Sequence, residues 1–165
     1  MKEKVLIPHR GIIALDIINS LNSIGLETIL LHSPEDSLSL PVKLADKSYK
    51  FFSSKLEDSY LDLNAIIEKA VELKVDYIHP GYGFLSENPK FAEMCKENGI
   101  GFIGPDSIVL SMVQDKSKLC DIASGLGLDT VKRSVVIKSP ADIESAIESF
   151  KFPVIIKPNF GYGGK

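Results

Sequence analysis

The chain has 165 residues and a formal charge of −3 from 19 basic and 22 acidic side chains. That length fits one ordinary domain, or one domain and part of a second. Mild acidity without a basic block points away from nucleic acid, and no apolar run approaches the roughly 18 residues that cross a bilayer. Met1–Lys4 leads straight into an apolar stretch with no signal-peptide pattern, and Cys95 and Cys120 stand alone, outside any C-x-x-C. Both thiols read as reduced, in a cytoplasmic protein, and no spacing of ligating residues suggests a metal site.

Strand and helix patterns alternate along the first two thirds. Val5-Leu6-Ile7 is a short apolar strand ended by Pro8. Ile13, Ala14, Ile17, Ile18 and Leu21 then recur at helical spacing, and Gly25 stops that helix. Thr28–Leu31 reads as a second strand, and Ser33–Ser37 as a polar turn. Leu38–Tyr60 carries a weaker pattern with a short strand near Lys47–Phe52. Leu63, Ile66, Ile67, Ala70 and Val71 define another amphipathic helix, which leads into a strand at Val75–Ile78. Asn88 is placed to cap a helix with Pro89 at its first position, and Gly99 closes it. Ile100–Ile103 is a further strand. Strands separated by helices of this length imply βαβ units, and the right-handed crossover rule makes residues 1–105 a Rossmann-like open sheet.

The grammar then changes. Asp106–Val113 and Lys116–Gly125 read as helices, Val131–Ile137 as a strand, Ser139–Phe150 as a helix and Pro153–Lys157 as a strand. The sequence ends in Asn159-Phe160-Gly161-Tyr162-Gly163-Gly164-Lys165. A phosphate-cradling loop is normally held by an element on each side, so this end reads as a truncation. Glycines let backbone N–H groups approach an anion. A P-loop would need glycine at position 159, which is Asn159, so that motif is rejected; the alternatives left are another phosphate loop and a plain terminal turn. Lys157, at the end of an apolar run, and Lys116, at the start of a helix, are candidate phosphate-binding cations, with solvated surface lysines as the alternative. Pro8-His9-Arg10-Gly11 occupies the carboxyl end of the first strand, where open α/β sheets bind ligands, with a plain turn as the alternative.

Several segments together resemble a known family. His79-Pro80-Gly81-Tyr82-Gly83-Phe84-Leu85-Ser86-Glu87-Asn88 is identical to a ten-residue loop of the biotin carboxylases, the ATP-grasp component of biotin-dependent carboxylases. Arg10-Gly11, Leu44-Ala45-Asp46, Ser59-Tyr60-Leu61, Phe102-Ile103-Gly104-Pro105, Asp115-Lys116 and Pro153–Lys157 are similar to further family motifs, so the resemblance covers nearly the whole chain. It implies a fold of class α/β: a Rossmann-like parallel sheet flanked by helices over 1–112, a linker helix over 113–130, and a truncated α+β start of an ATP-grasp lid over 131–165. It implies ATP contacts at Lys116, Ile155, Lys157, Gly161, Gly163, Gly164 and Lys165. Tyr82, Gly83 and Glu87 are implied to form a wall of the biotin and bicarbonate site. ATP would activate bicarbonate as carboxyphosphate, and the carboxyl group would pass to biotin. Mg2+ ligands and catalytic residues are expected outside these residues, leaving the isolated chain inactive. Partners would be a biotin carboxyl carrier and a carboxyltransferase, with a homodimer possible in principle, and neither nucleic acid nor membrane. His9, Ile12, Asp16, Asn159, Phe160, Tyr162 and Lys165 depart from the family pattern, and Asp16 stands where some members carry an interface arginine. Another ATP-grasp ligase, such as a carbamoyl-phosphate synthase-like enzyme, and a non-catalytic α/β interaction module stay open as alternatives.

Overall fold

The computed structural model describes residues 2–83, 85–134 and 136–159. The chain falls into two compact units, Met1–Ser107 and Ile108–Lys165.

The first unit is a five-stranded parallel sheet. Its strands are β1 (Lys4–Ile7), β2 (Glu27–His32), β3 (Lys47–Lys50), β4 (Tyr77–Ile78) and β5 (Gly101–Phe102). They lie in the order β3-β2-β1-β4-β5, and every neighbouring pair is parallel. Helices α1 (Gly11–Ser23), α2 (Leu40–Leu44), α3 (Leu63–Leu73) and α4 (Pro89–Glu97) fill the connections. Three core residues of β1 (Val5, Leu6, Ile7) are fully buried because the strand is central and covered on both faces. Side chains of a strand point alternately to opposite faces. Leu6, Ile29, Leu31 and Ile78 accordingly pack with Ile66 and Ala70 of α3 and with Phe91 and Cys95 of α4. Val5, Ile7 and Leu30 pack with Ala14, Ile17, Ile18 and Leu21 of α1. The sheet is thus the middle of three layers.

Polar side chains fix the ends of these elements. Thr28 donates its amide and its hydroxyl to the Asp46 carboxylate at 2.8 and 3.0 Å, and its hydroxyl in turn accepts from the Asp46 amide at 3.0 Å. This ties the start of β2 to the start of β3, and the Thr28 amide holds the Asp46 carboxyl below its ordinary range. Asp62 caps α3 by accepting from the Ala65 amide. Asn88 caps α4 by accepting from the amides of Lys90 and Phe91, with Pro89 in the first turn, as the sequence pattern anticipated.

The second unit contains α5 (Ser107–Gln114), which begins on the last residue of the first unit, then α6 (Lys116–Gly125) and α7 (Pro140–Ser149). Helix α7 opens with a capping box: the Ser139 hydroxyl accepts from the Asp142 amide, and the Asp142 carboxylate accepts from the Ser139 amide. The two strands expected at Val131–Ile137 and Pro153–Lys157 are not formed among the described residues. Val131, Ile155 and Ile156 are instead more than four-fifths exposed. A helix satisfies its own backbone, whereas a strand needs neighbours, and two short extended segments without a larger sheet are marginal. The apolar pattern there is strand-like, but the described residues pair with no neighbouring strand. Helix α2 went unpredicted because five residues are too few to display a period.

Two outcomes follow for stability. Phe91 is fully buried and meets the Phe102 ring edge-on at a centroid distance of 6.1 Å. Phe91→Ala should therefore cost about 3–5 kcal/mol, read as a fall in the urea midpoint, whereas Leu126→Ala at an exposed site should stay within about 0.5 kcal/mol. Burial pushes the Cys95 thiol up to about 12 from its ordinary 9.0. As pH rises past about 9, the unfolded chain releases this proton while the folded chain keeps it, so stability falls with rising pH. Urea midpoints measured from about pH 8 to about pH 11 should show that fall, and Cys95→Ala should make it shallower.

Candidate functional site

The sheet changes its winding direction at β1: β2 and β3 lie to one side of it, β4 and β5 to the other. Connections leave in opposite directions there, opening a crevice at the carboxyl ends of β1 and β4. Two loops flank it, Pro8–Arg10 after β1 and His79–Asn88 after β4. The His79 amide donates to the Leu6 carbonyl at 2.9 Å, so the second loop starts hard against the end of β1.

The His79–Asn88 loop is held from within. The Gly81 amide donates to Nδ1 of His79 at 3.1 Å. Burial lowers the His79 pKa, which favours the neutral ring whose Nδ1 lone pair accepts that bond. Gly81 and Gly83 have φ of 73° and 97°, the left-handed region that glycine enters without strain. The Ser86 hydroxyl and the Glu87 amide both donate to the Gly83 carbonyl, at 2.8 and 3.2 Å. Leu85 is buried among the core side chains, while Tyr82 is 77% exposed. The loop is therefore anchored by one apolar side chain and presents a phenol at its tip. Glu87 is half-buried, and Phe84 lies outside the described residues.

The β1 end carries a charged network. The Arg10 guanidinium pairs with Asp36, Nε to Oδ2 at 3.2 Å, and lies over the Tyr60 ring at 5.9 Å. Asp36 also accepts from the hydroxyls of Ser33 and Tyr60, at 2.9 and 3.1 Å. The Tyr60 oxygen accepts from the Ser33 amide at 3.0 Å. Burial pushes the Tyr60 phenol up to about 12, and the Asp36 charge adds to the rise against the Ser33 amide. A cleft of about 330 Å³ opens between these groups, lined by His9, Arg10, Leu56, Tyr60, Tyr82 and Leu85 among others. Its floor is apolar and its rim carries the imidazole and the guanidinium, the latter already matched by a carboxylate.

Within the second unit, Lys116 opens α6 beside Asp115, whose carboxylate caps the helix by accepting from the Lys118 amide at 3.0 Å. That bond above all keeps the Asp115 carboxyl below its ordinary range. Asn159 closes on the same helix end. Its side chain donates to Asp115 at 3.1 Å and accepts from the Ser117 amide at 3.2 Å, and its carbonyl accepts from the Lys116 amide at 3.4 Å. The Lys116 ammonium is buried without a hydrogen-bond partner among the described residues. A buried ammonium left so is costly until an anion meets it, which suits a phosphate. Lys157 and Ile155 are exposed and lie outside any strand, not on the expected one. Gly161, Gly163, Gly164 and Lys165 lie outside the described residues. No group of three metal-ligating side chains occurs among the described residues, and none of their helices is long and apolar enough to cross a membrane.

Sequence reasoning selected Tyr82, Gly83, Glu87 and Lys116 but missed Asp36 and Tyr60 as a pair, since 24 residues separate them. It treated Asn159 as an interruption of a glycine run, where the structure makes it a second cap for α6.

Comparison with known proteins agrees with this geometry. Residues 1–110 match the family model of the biotin carboxylase N-terminal domain. The chain is 42% identical to pyruvate carboxylase of Bacillus subtilis over 99% of its own length and 14% of that protein's. It is 36% identical to biotin carboxylase 1 of the same organism, over 100% of this chain and 37% of that one. Among solved structures, the biotin carboxylase domain dimer of Hydrogenobacter thermophilus 2-oxoglutarate carboxylase, in complex with MgADP, ADP and bicarbonate, superimposes with a TM-score of 0.90 at 32% identity. That match covers 98% of this chain and 36% of that one. The chain therefore spans little more than a third, or less, of these relatives' lengths. With its ten-residue loop at the switch point of a parallel sheet and 110 of its 165 residues matched, the chain belongs to the family of biotin carboxylase N-terminal domains.

Proposed function

We propose that the chain is the N-terminal portion of a biotin carboxylase, the ATP-dependent ligase that carboxylates biotin with bicarbonate in acyl-CoA or pyruvate carboxylases. One observation carries this reading: the His79–Asn88 loop is anchored by Leu85 and presents Tyr82 beside the crevice where β1 and β4 end. In this reading Tyr82, Gly83 and Glu87 form one wall of the biotin and bicarbonate site. The Lys116 ammonium, buried without a hydrogen-bond partner among the described residues, supports a role in holding nucleotide phosphates. Lys157, Ile155 and the glycines at 161, 163 and 164 with Lys165 complete the nucleotide contacts once the rest of an ATP-grasp domain packs against them. ATP, when bound, supplies the free energy that activates bicarbonate. In this reading the Mg2+ ligands and the catalytic base are supplied by residues other than those of this segment. The chain's own work is to bind and to orient. In this reading a biotin carboxyl carrier and a carboxyltransferase are the partners and the setting is cytoplasmic.

The test uses the complete enzyme containing this segment. ADP release should require both biotin and bicarbonate, and the isolated 165-residue chain should show none. Lys116→Met should raise KM for ATP roughly 10- to 100-fold, the loss of about 1.5–3 kcal/mol for a charge-assisted contact, while leaving KM for biotin unchanged. An undiminished rate without bicarbonate would rule out carboxylation.

A further inference from the structure

The His9 side chain joins the two loops of the crevice through the backbone of Tyr82. Its Nε2 lies 2.9 Å from the Tyr82 carbonyl oxygen. Its Nδ1 lies 2.9 Å from the Arg10 amide nitrogen and 3.0 Å from the Arg10 carbonyl oxygen. Whichever of these Nδ1 engages, a carbonyl only accepts, so the nitrogen facing Tyr82 carries the hydrogen and donates it. The ring also lies against Gly81: a Cβ at that position would stand 2.1 Å from Cδ2 and 2.7 Å from Cγ of His9. The ring thus fills the space that glycine leaves open and bonds to the next residue along. The other anchors act elsewhere: His79 accepts from the Gly81 amide at the loop's start, and Leu85 and the Gly83 carbonyl hold its second half. Between them, the Tyr82 peptide is fixed by His9.

We infer that His9 is a positioning residue that sets the Tyr82–Gly83 backbone, and hence the biotin-side wall, without touching the nucleotide side. This rests on the function proposed above. The chemistry requires a donor at the place of Nε2 and not merely a polar group at residue 9. Glutamine superposes its terminal amide on Nε2 and reaches the Tyr82 carbonyl. Asparagine superposes its amide on Nδ1 and falls short.

The experiment compares His9→Asn with His9→Gln. In the 165-residue chain, amide hydrogen exchange over residues 79–88 should accelerate about fivefold in H9N, the equivalent of losing one hydrogen bond, and stay within about twofold of the unsubstituted chain in H9Q. In the complete enzyme, H9N should raise KM for biotin about fivefold with KM for ATP and kcat unchanged, and H9Q should restore it. Equal exchange in H9N and the unsubstituted chain, or equally fast exchange in H9N and H9Q, overturns the assignment. The predicted exchange pattern in an enzyme with no biotin-dependent turnover at all upholds His9 as the loop's anchor and overturns the biotin reading instead.

Discussion

The pairing of β4 with β1 is the constraint on which the candidate site depends. It is a short ladder, Val5 opposite Tyr77 and Leu6 opposite Ile78, extended by the Asp76 amide to Lys4 and the His79 amide to Leu6. Nothing in the intervening sequence brings these residues together. The force comes from burying Leu6 and Ile78 under α3 and α4, whose apolar faces have no other place to go. Once the ladder forms, Pro8–Arg10 and His79–Gly83 become neighbours, and a loop that would otherwise be surface chain becomes one side of a crevice.

Polar groups then refine what burial has assembled. Asp36 receives one guanidinium and two hydroxyls, and Asp46 receives an amide and a hydroxyl, so each carboxylate sits where several donors converge. The half-buried Asp36 carboxylate is tolerated on that condition. The Arg10–Asp36 pair is half open to water, and its energetic worth is small; its use is to hold the rim of the cleft in one arrangement.

The second unit shows the opposite balance. Its helices are secured by local contacts, Asp115 at the start of α6 and the Ser139–Asp142 box at the start of α7. Its apolar residues, among them Ile143, Ile147, Phe152 and Ile156, remain largely exposed. Local capping is enough to define a helix but cannot supply a sheet or a core. The Lys116 ammonium of this unit is buried without a hydrogen-bond partner among the described residues.

The amino-acid order alone determined the alternation of strands and helices in residues 1–105, the cap at Asn88, and the loop that marks the family, because periodicity, capping chemistry and a rigid motif are local properties. Tertiary structure decided which strands meet. It put β4 beside β1, joined Asp36 to Tyr60, laid the His9 ring against Gly81, and left the described residues of 131–137 and 153–157 without strand partners. Hydrogen bonds between distant segments and the availability of a neighbouring strand are set by packing across the chain, and no window of sequence contains them.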